Sequence, residues 1–264
     1  FGYMWECPDL FEIDGQLILT CCPQGVKPQG FEYHNPHQST AMKLMYDFDT
    51  KESKIEDIKL MDRGFDFYAQ QTFEDEKGRR ILIGWMGIPD AEYTNPTVEA
   101  GWQHALTIPR EVSLRNGIFI QEPIEELKKL RCKDSAEKKL EKEQEIVFDH
   151  VVYEAIVEYN KCKNMTMTLR EGITLSYEDR VLTLDLGAYG AGRTTRKVRV
   201  ESLKYLQIFA DTSSVEIFVN HGEEVFTSRI YSLKGRISVQ GECEGTMTVY
   251  PLKSFLIEGG CNEE

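Results

Sequence analysis

Phe11-Glu-Ile-Asp-Gly-Gln-Leu-Ile-Leu-Thr20 decides the fold class. Two short apolar runs, Phe11–Ile13 and Leu17–Thr20, flank Asp14-Gly15. That dipeptide is favoured in a two-residue hairpin turn because both central residues need positive φ. Outward from it the pattern repeats. Lys43–Phe48 follows, Asp66–Phe73 and Arg80–Trp85 are joined by a charged turn ending in Gly78, and Ala105–Leu114 and Ile118–Ile120 flank Arg115-Asn-Gly117. Short antiparallel strands at this spacing predict a sandwich, a barrel or propeller blades.

The rhythm breaks over 122–145. This stretch is rich in Lys and Glu, carries Pro123 where a first helical turn tolerates it, and repeats Ile124, Leu127 and Leu130 at three-residue spacing. It reads as a short amphipathic helix and then a solvated, charged connector. The chain therefore divides into blade material over 1–121, a linker over 122–145 and a second domain over 146–264. Ten short apolar runs between Val151 and Tyr250, with Asn220-His-Gly222 in a tight turn, make that second domain a β-sandwich. The fold class is all-β.

Composition narrows the partners. The 264 residues carry 31 Lys and Arg against 44 Asp and Glu, a formal net charge of −13, so a polyanion is repelled on average. No basic run makes a nucleic-acid stripe, and an anionic membrane is an equally poor partner. The 13 Phe, 12 Tyr and 3 Trp supply a packed core. The longest nearly apolar stretch, Ile81–Ile88, is far short of the ~20 residues a spanning helix needs. The first residue is Phe1 and no basic-then-apolar leader precedes Trp5, so the chain is expected to be processed, cleaved or a fragment. Its seven cysteines (Cys7, Cys21, Cys22, Cys132, Cys162, Cys243, Cys261) are odd in number and irregularly spaced. They form no zinc pattern, and a cytoplasmic protein without metal is expected.

The richest chemistry lies towards the N-terminus. Trp5-Glu-Cys-Pro-Asp9 packs two carboxylates, an indole and a ring-locked backbone into five residues, and Asp62-Arg-Gly-Phe-Asp-Phe-Tyr68 adds two acids beside aromatics. Gly84-Trp85 follows. Carboxylates among aromatic faces suit a sugar site, where acids handle protons and hydroxyls while the apolar sugar face lies on a ring. Burial against Trp5 and Pro8 would raise the pKa of Glu6 by disfavouring its anion. Plainer readings also fit: Asp62 capping a turn beside Gly64, Asp66 as a buried acid paired with Arg63 or Arg80, and Trp85 as core. The five histidines show no metal spacing, and neither a Gly-x-Ser-x-Gly elbow nor a phosphate-cradling glycine loop occurs.

These motifs carry a resemblance. Met4-Trp-Glu-Cys-Pro-Asp-Leu-Phe11, Asp62-Arg-Gly-Phe-Asp-Phe-Tyr-Ala69, Arg80-Ile-Leu-Ile-Gly-Trp-Met86 and Gly101-Trp-Gln-His-Ala-Leu-Thr-Ile-Pro-Arg-Glu111 resemble, in order, signatures of the invertase-like glycoside hydrolase family 32. Asp211–Asn220 and Thr227–Tyr231 resemble its C-terminal domain. The resemblance implies part of a five-bladed β-propeller followed by a C-terminal β-sandwich. It also implies retaining hydrolysis of sucrose or sucrose-6-phosphate, with fructosyl transfer or non-catalytic sugar binding as alternatives. On it, Glu6 matches the catalytic acid/base, Asp62 and Asp66 match the region lining the fructose pocket, and Trp85 forms part of the pocket wall. No cofactor is implied, and a sandwich face offers a surface for a homodimer.

One family feature is not found. The resemblance implies an Asn-Asp-Pro-Asn-Gly motif, whose Asp is the nucleophile, and an Arg-Asp-Pro motif, both upstream of Glu-Cys-Pro. This chain has no Asp-Pro dipeptide. The expectation is that the N-terminal half of the same enzyme supplies the nucleophile, and that this chain alone is inactive.

Overall fold

The Asp14-Gly15 turn forms as its residue types require: φ is +50° at Asp14 and +77° at Gly15. The strands it joins are β1 (Met4–Ile13) and β2 (Gln16–Gln24), in antiparallel register from Ile13 opposite Gln16 outward. With β3 (Thr40–Tyr46) and β4 (Ser53–Leu60) they make a four-stranded blade in the order β1-β2-β3-β4. A second blade follows the same up-and-down path through β5 (Tyr68–Glu74), β6 (Arg80–Trp85), β7 (Arg110–Arg115) and β8 (Ile118–Pro123). The structure, a computed structural model, describes residues 1–232 and 234–254. The two blades pack through one shared cluster in which Phe11, Ile18 and Met61 of the first meet Phe67, Leu82, Val112 and Phe119 of the second.

The segment 122–145 differs from its reading. Glu125–Leu130 is a 3-10 helix, with Leu127 N–H donating to Ile124 and Arg131 N–H to Lys128. A three-residue apolar repeat eclipses on the three residues per turn of a 3-10 helix and drifts on an α-helix. Ile124, Leu127 and Leu130 accordingly share one face against Phe209, Phe218 and Val225. The charged stretch beyond is not all connector: Ala136–Leu140 is a strand, β9, hydrogen-bonded to the sandwich.

The sandwich continues through β10 (Ile146–Phe148), β11 (Tyr153–Cys162), β12 (Met165–Arg170), β13 (Ile173–Glu178), β14 (Val181–Asp185) and β15 (Thr195–Arg199). It ends through β16 (Tyr205–Asp211), β17 (Ser214–Val219), β18 (Glu224–Arg229), β19 (Ile237–Gln240) and β20 (Cys243–Pro251). Its sheets run β10-β19-β12-β13-β14-β15 and β18-β17-β16-β11-β20-β9. Alternate residues such as Leu175, Leu182 and Leu184 meet Val157, Ile208, Ile217 and Val249 in the largest core of the protein. Residues 255–264 of the 146–264 reading, Cys261 included, lie outside the described residues.

Residues 62–66 join the two parts. β18 is an edge strand, and the chain between β4 and β5 runs along it. Arg63 N–H donates to Val225 O at 2.7 Å and Asp66 N–H to Thr227 O at 3.0 Å. The edge N–H groups of β18 go to carboxylates: Thr227 N–H to Asp62 and Arg229 N–H to Asp66, both at 2.8 Å. An otherwise open sheet edge is thereby satisfied and covered. Gly64 allows the close approach, since a Cβ there would collide with the Thr227 backbone. Gly64→Ala is therefore expected to cost about 1–3 kcal/mol by overpacking. Thermal unfolding checks it, and an unchanged midpoint would show that the segment can back away from β18.

Candidate active site

Two bulges shape the site. The β1–β2 register slips between Glu6 and Asp9, with Cys7 at φ +49°, and the β5–β6 register slips between Tyr68 and Gln71, with Ala69 also at φ +49°. Each left-handed residue directly follows a polar side chain, and a bulge re-aims its neighbours out of strict alternation. The two re-aimed side chains meet: the Tyr68 hydroxyl donates to Glu6 Oε2 at 3.0 Å. Burial pushes the Tyr68 phenol well above its ordinary value, so it remains a donor throughout the physiological range. Below them Asp9 accepts from Thr72 N–H at 3.0 Å and Thr72 Oγ1 at 2.6 Å, pinning β1 to β5.

Glu6 itself is exposed, so the expected desolvation against Trp5 and Pro8 is not met. Trp85 lies directly across β5–β6 from Tyr68, half-buried, and packs with Tyr68, Cys22 and Ile88. Its indole N–H donates to His104 Nδ1 at 3.1 Å, which fixes the ring. Gly87 leaves room for the indole, because a Cβ there would strike the ring. Cys22, opposite Glu6 in register, donates its thiol to Gln70 Oε1 at 3.1 Å. Burial pushes that thiol up to about 12, so it is not a nucleophile at neutral pH.

Asp62 and Asp66 require a correction. They were expected to line a sugar pocket; the structure buries both, at 5% and 1% exposure, against the sandwich. Asp62 caps the turn to Gly64 N–H at 2.8 Å and accepts from Thr227 Oγ1 at 2.5 Å. Its Oδ2 also faces Arg110 Nη1 at 3.4 Å. Asp66 accepts from the Tyr93 hydroxyl at 2.5 Å and pairs with Arg193, not with Arg63 or Arg80. Arg110, fully buried, gathers Glu216 at 2.7 Å, Thr227 Oγ1 at 2.6 Å and Gln121 at 3.0 Å between the rings of Phe67 and Phe218. Burial pushes the Asp62 and Glu216 carboxyls up, with Arg110 the largest opposing influence on each. These acids hold the sandwich to the blades. Of the four residues named from the sequence, Glu6 and Trp85 flank Tyr68, whereas Asp62 and Asp66 sit at the domain junction.

Tyr68 was not singled out from the sequence, although it stands inside the quoted Asp62–Ala69 motif. Its signal was weak, because one Tyr beside a Phe reads as core.

Two four-stranded blades are joined to a β-sandwich, and an exposed carboxylate meets a tyrosine hydroxyl whose ring packs against an indole. The profile described as "Glycosyl hydrolases family 32 N-terminal domain" matches residues 1–123, and "Glycosyl hydrolases family 32 C terminal" matches residues 126–251. The chain belongs to glycosyl hydrolase family 32. The sucrose-6-phosphate hydrolase of Staphylococcus xylosus is 38% identical over 98% of this chain and 56% of its own length. A mutant Bombyx mori beta-fructofuranosidase solved in complex with sucrose is 31% identical over 96% of this chain and 55% of its own, at a TM-score of 0.79. The sucrose-6-phosphate hydrolase of Lactobacillus gasseri shares the fold, at a TM-score of 0.84 and 23% identity, with 97% of this chain and 56% of its own covered. The chain thus spans about half the length of the relatives it matches. Among the described residues, no helix is long and apolar enough to cross a membrane.

Proposed function

We propose that these residues carry the acid/base part of a β-fructofuranosidase that hydrolyses sucrose or sucrose-6-phosphate with retention. The observation that carries the reading is the exposed Glu6 carboxylate held at Oε2 by the Tyr68 hydroxyl. With Oε2 anchored, Oε1 is the oxygen turned to the substrate. Glu6 protonates the departing glucose oxygen and then, as the anion, takes a proton from the water that releases fructose. Trp85 gives the apolar sugar face a ring to lie on.

A retaining glycosidase needs its second carboxyl about 5–5.5 Å from the first. The other carboxylates of these motifs are engaged elsewhere, Asp9 with Thr72, Asp62 with Arg110 and Thr227, and Asp66 with Tyr93 and Arg193. The reading therefore places the nucleophile on polypeptide outside these 264 residues, in further blades of the same enzyme. Apolar side chains exposed along β1 and β5, among them Met4, Leu10 and Phe73, support packing of further blades there. The cytoplasm suits the six free thiols of the described residues.

Tyr68→Phe in the longer enzyme separates this reading from a sugar-binding module. A hydrogen bond to a charged group is worth about 1.5–3 kcal/mol, so kcat/KM is expected to fall roughly 10- to 150-fold. If turnover were unchanged while sugar affinity fell, Tyr68 would serve binding only and the acid/base assignment would lose its support.

A further inference from the structure

We propose that Cys162 and Cys243 form an oxidative modification site, a cross-strand disulfide that ties β11 to β20 when the protein meets a disulfide oxidant. The two residues stand directly opposite one another in the antiparallel register. Lys163 N–H donates to Glu242 O at 3.0 Å, one position beyond them. In an antiparallel ladder that bond makes Cys162 and Cys243 a non-hydrogen-bonded pair. Cα atoms at such pairs approach to about 4.5 Å with side chains on one face, within the roughly 4.4–6.8 Å that a disulfide spans. The register slips between Tyr159 and Lys161, just before the pair, so the strand already departs from regular geometry where the link would form.

The surroundings place both sulfurs on the inner face. Cys243 is 3% exposed within the sandwich core, and Cys162, partly exposed, packs against the same core. Both thiols act on the buried Tyr159 phenol and help to raise it above its ordinary value, which puts the three groups in one cluster.

The difference in exposure assigns the roles. The Cys162 thiolate attacks one sulfur of glutathione disulfide, forming a mixed disulfide and releasing one glutathione thiolate, which takes up a proton. The Cys243 thiolate then attacks the Cys162 sulfur, and the second glutathione leaves as its thiol. Two protein thiols are oxidised, one glutathione disulfide is reduced to two thiols, and both protons end on glutathione. Burial pushes the Cys162 thiol up to about 12 and raises that of Cys243, so the exchange is slow at neutral pH. The closed link would enclose residues 163–242, which include β12 through β19 and therefore the β18 edge that receives residues 62–66.

The test is incubation of the native, fully reduced protein with glutathione disulfide at mildly alkaline pH, followed by a non-reducing peptide map and thermal unfolding. The expected result is a Cys162–Cys243 peptide pair and a Tm raised by about 5–10 °C, reversed by dithiothreitol and absent in Cys243→Ser. The Cys243→Ser protein is expected to hold a stable glutathione adduct on Cys162, which shows that the first step survives without the resolving thiol. A wild-type map with both thiols free, with glutathione persisting on Cys162, or with either cysteine linked to another partner would overturn the proposal. The inference is independent of the enzyme reading, because every readout is chemical or thermal.

Discussion

Glu6→Gln in the proposed longer enzyme is expected to lower kcat on sucrose by about 10²- to 10⁴-fold, the usual worth of a positioned general acid/base. KM should stay nearly constant. Gln is close in size to Glu and can still accept the Tyr68 hydroxyl bond at 3.0 Å, so the pocket keeps its shape while the transferable proton is lost. The loss should be largest for substrates with poor leaving groups, since proton donation matters most where the departing oxygen is basic. Steady-state kinetics on sucrose and on an aryl fructoside measure both effects. Equal losses on both substrates would remove Glu6 from the acid's role, and an unchanged kcat would remove it from the mechanism.

Arg110→Ala is expected to give the second large effect, on stability rather than on chemistry. The guanidinium is fully buried and serves Asp62, Glu216, Gln121 and Thr227 at once. Removing one partner of a buried ion pair typically costs about 3–5 kcal/mol, because the remaining charge keeps its desolvation penalty without its compensation. Here two carboxylates are left behind. For a chain of this size that corresponds to a fall in Tm of roughly 6–20 °C. The damage should also spread, since Asp62 caps the β18 edge through Thr227 N–H. Blades and sandwich are expected to unfold together in the wild type and to separate into two transitions in the variant. A variant that kept both its midpoint and its single transition would show that the junction is held by the Phe209–Phe218–Leu127 cluster instead.

The strands that the sequence reading found and missed differ in a physical way. All ten runs assigned to the sandwich between Val151 and Tyr250 are strands, because buried residues on both sheets impose a dense apolar pattern. The strands missed are β4, β9 and β10, and each lies at the edge of its sheet. Ser53–Leu60 and Ala136–Leu140 present mostly charged side chains to solvent, as edge strands commonly do to discourage further pairing. Local composition therefore reads as connector. Only the partner strand, β3 for one and β20 for the other, makes them sheet.

The site divides along a similar line. Glu6 and Trp85 stand in motifs that resemble known signatures, and both meet Tyr68, which lies beside them in the blades. Asp62 and Asp66 are harder to read, because an acid among aromatics looks alike in sequence whether it faces a sugar or a buried guanidinium. What decides between them is Arg193, Thr227 and Arg229, more than 120 residues further along the chain. The plainer reading of Asp62 as a cap beside Gly64 was correct, and the structure adds that the capped turn also closes a sheet edge.

The most direct measurement is release of glucose and fructose when these 264 residues are incubated with sucrose, beside the proposed longer enzyme. If Glu6 supplies one of two required carboxyls and the other lies elsewhere, the 264 residues should give no sugar above the blank, while the longer enzyme turns over. Turnover by the 264 residues alone would contradict this, because both carboxyls would then lie within them and the division of labour assigned to Glu6 would be wrong.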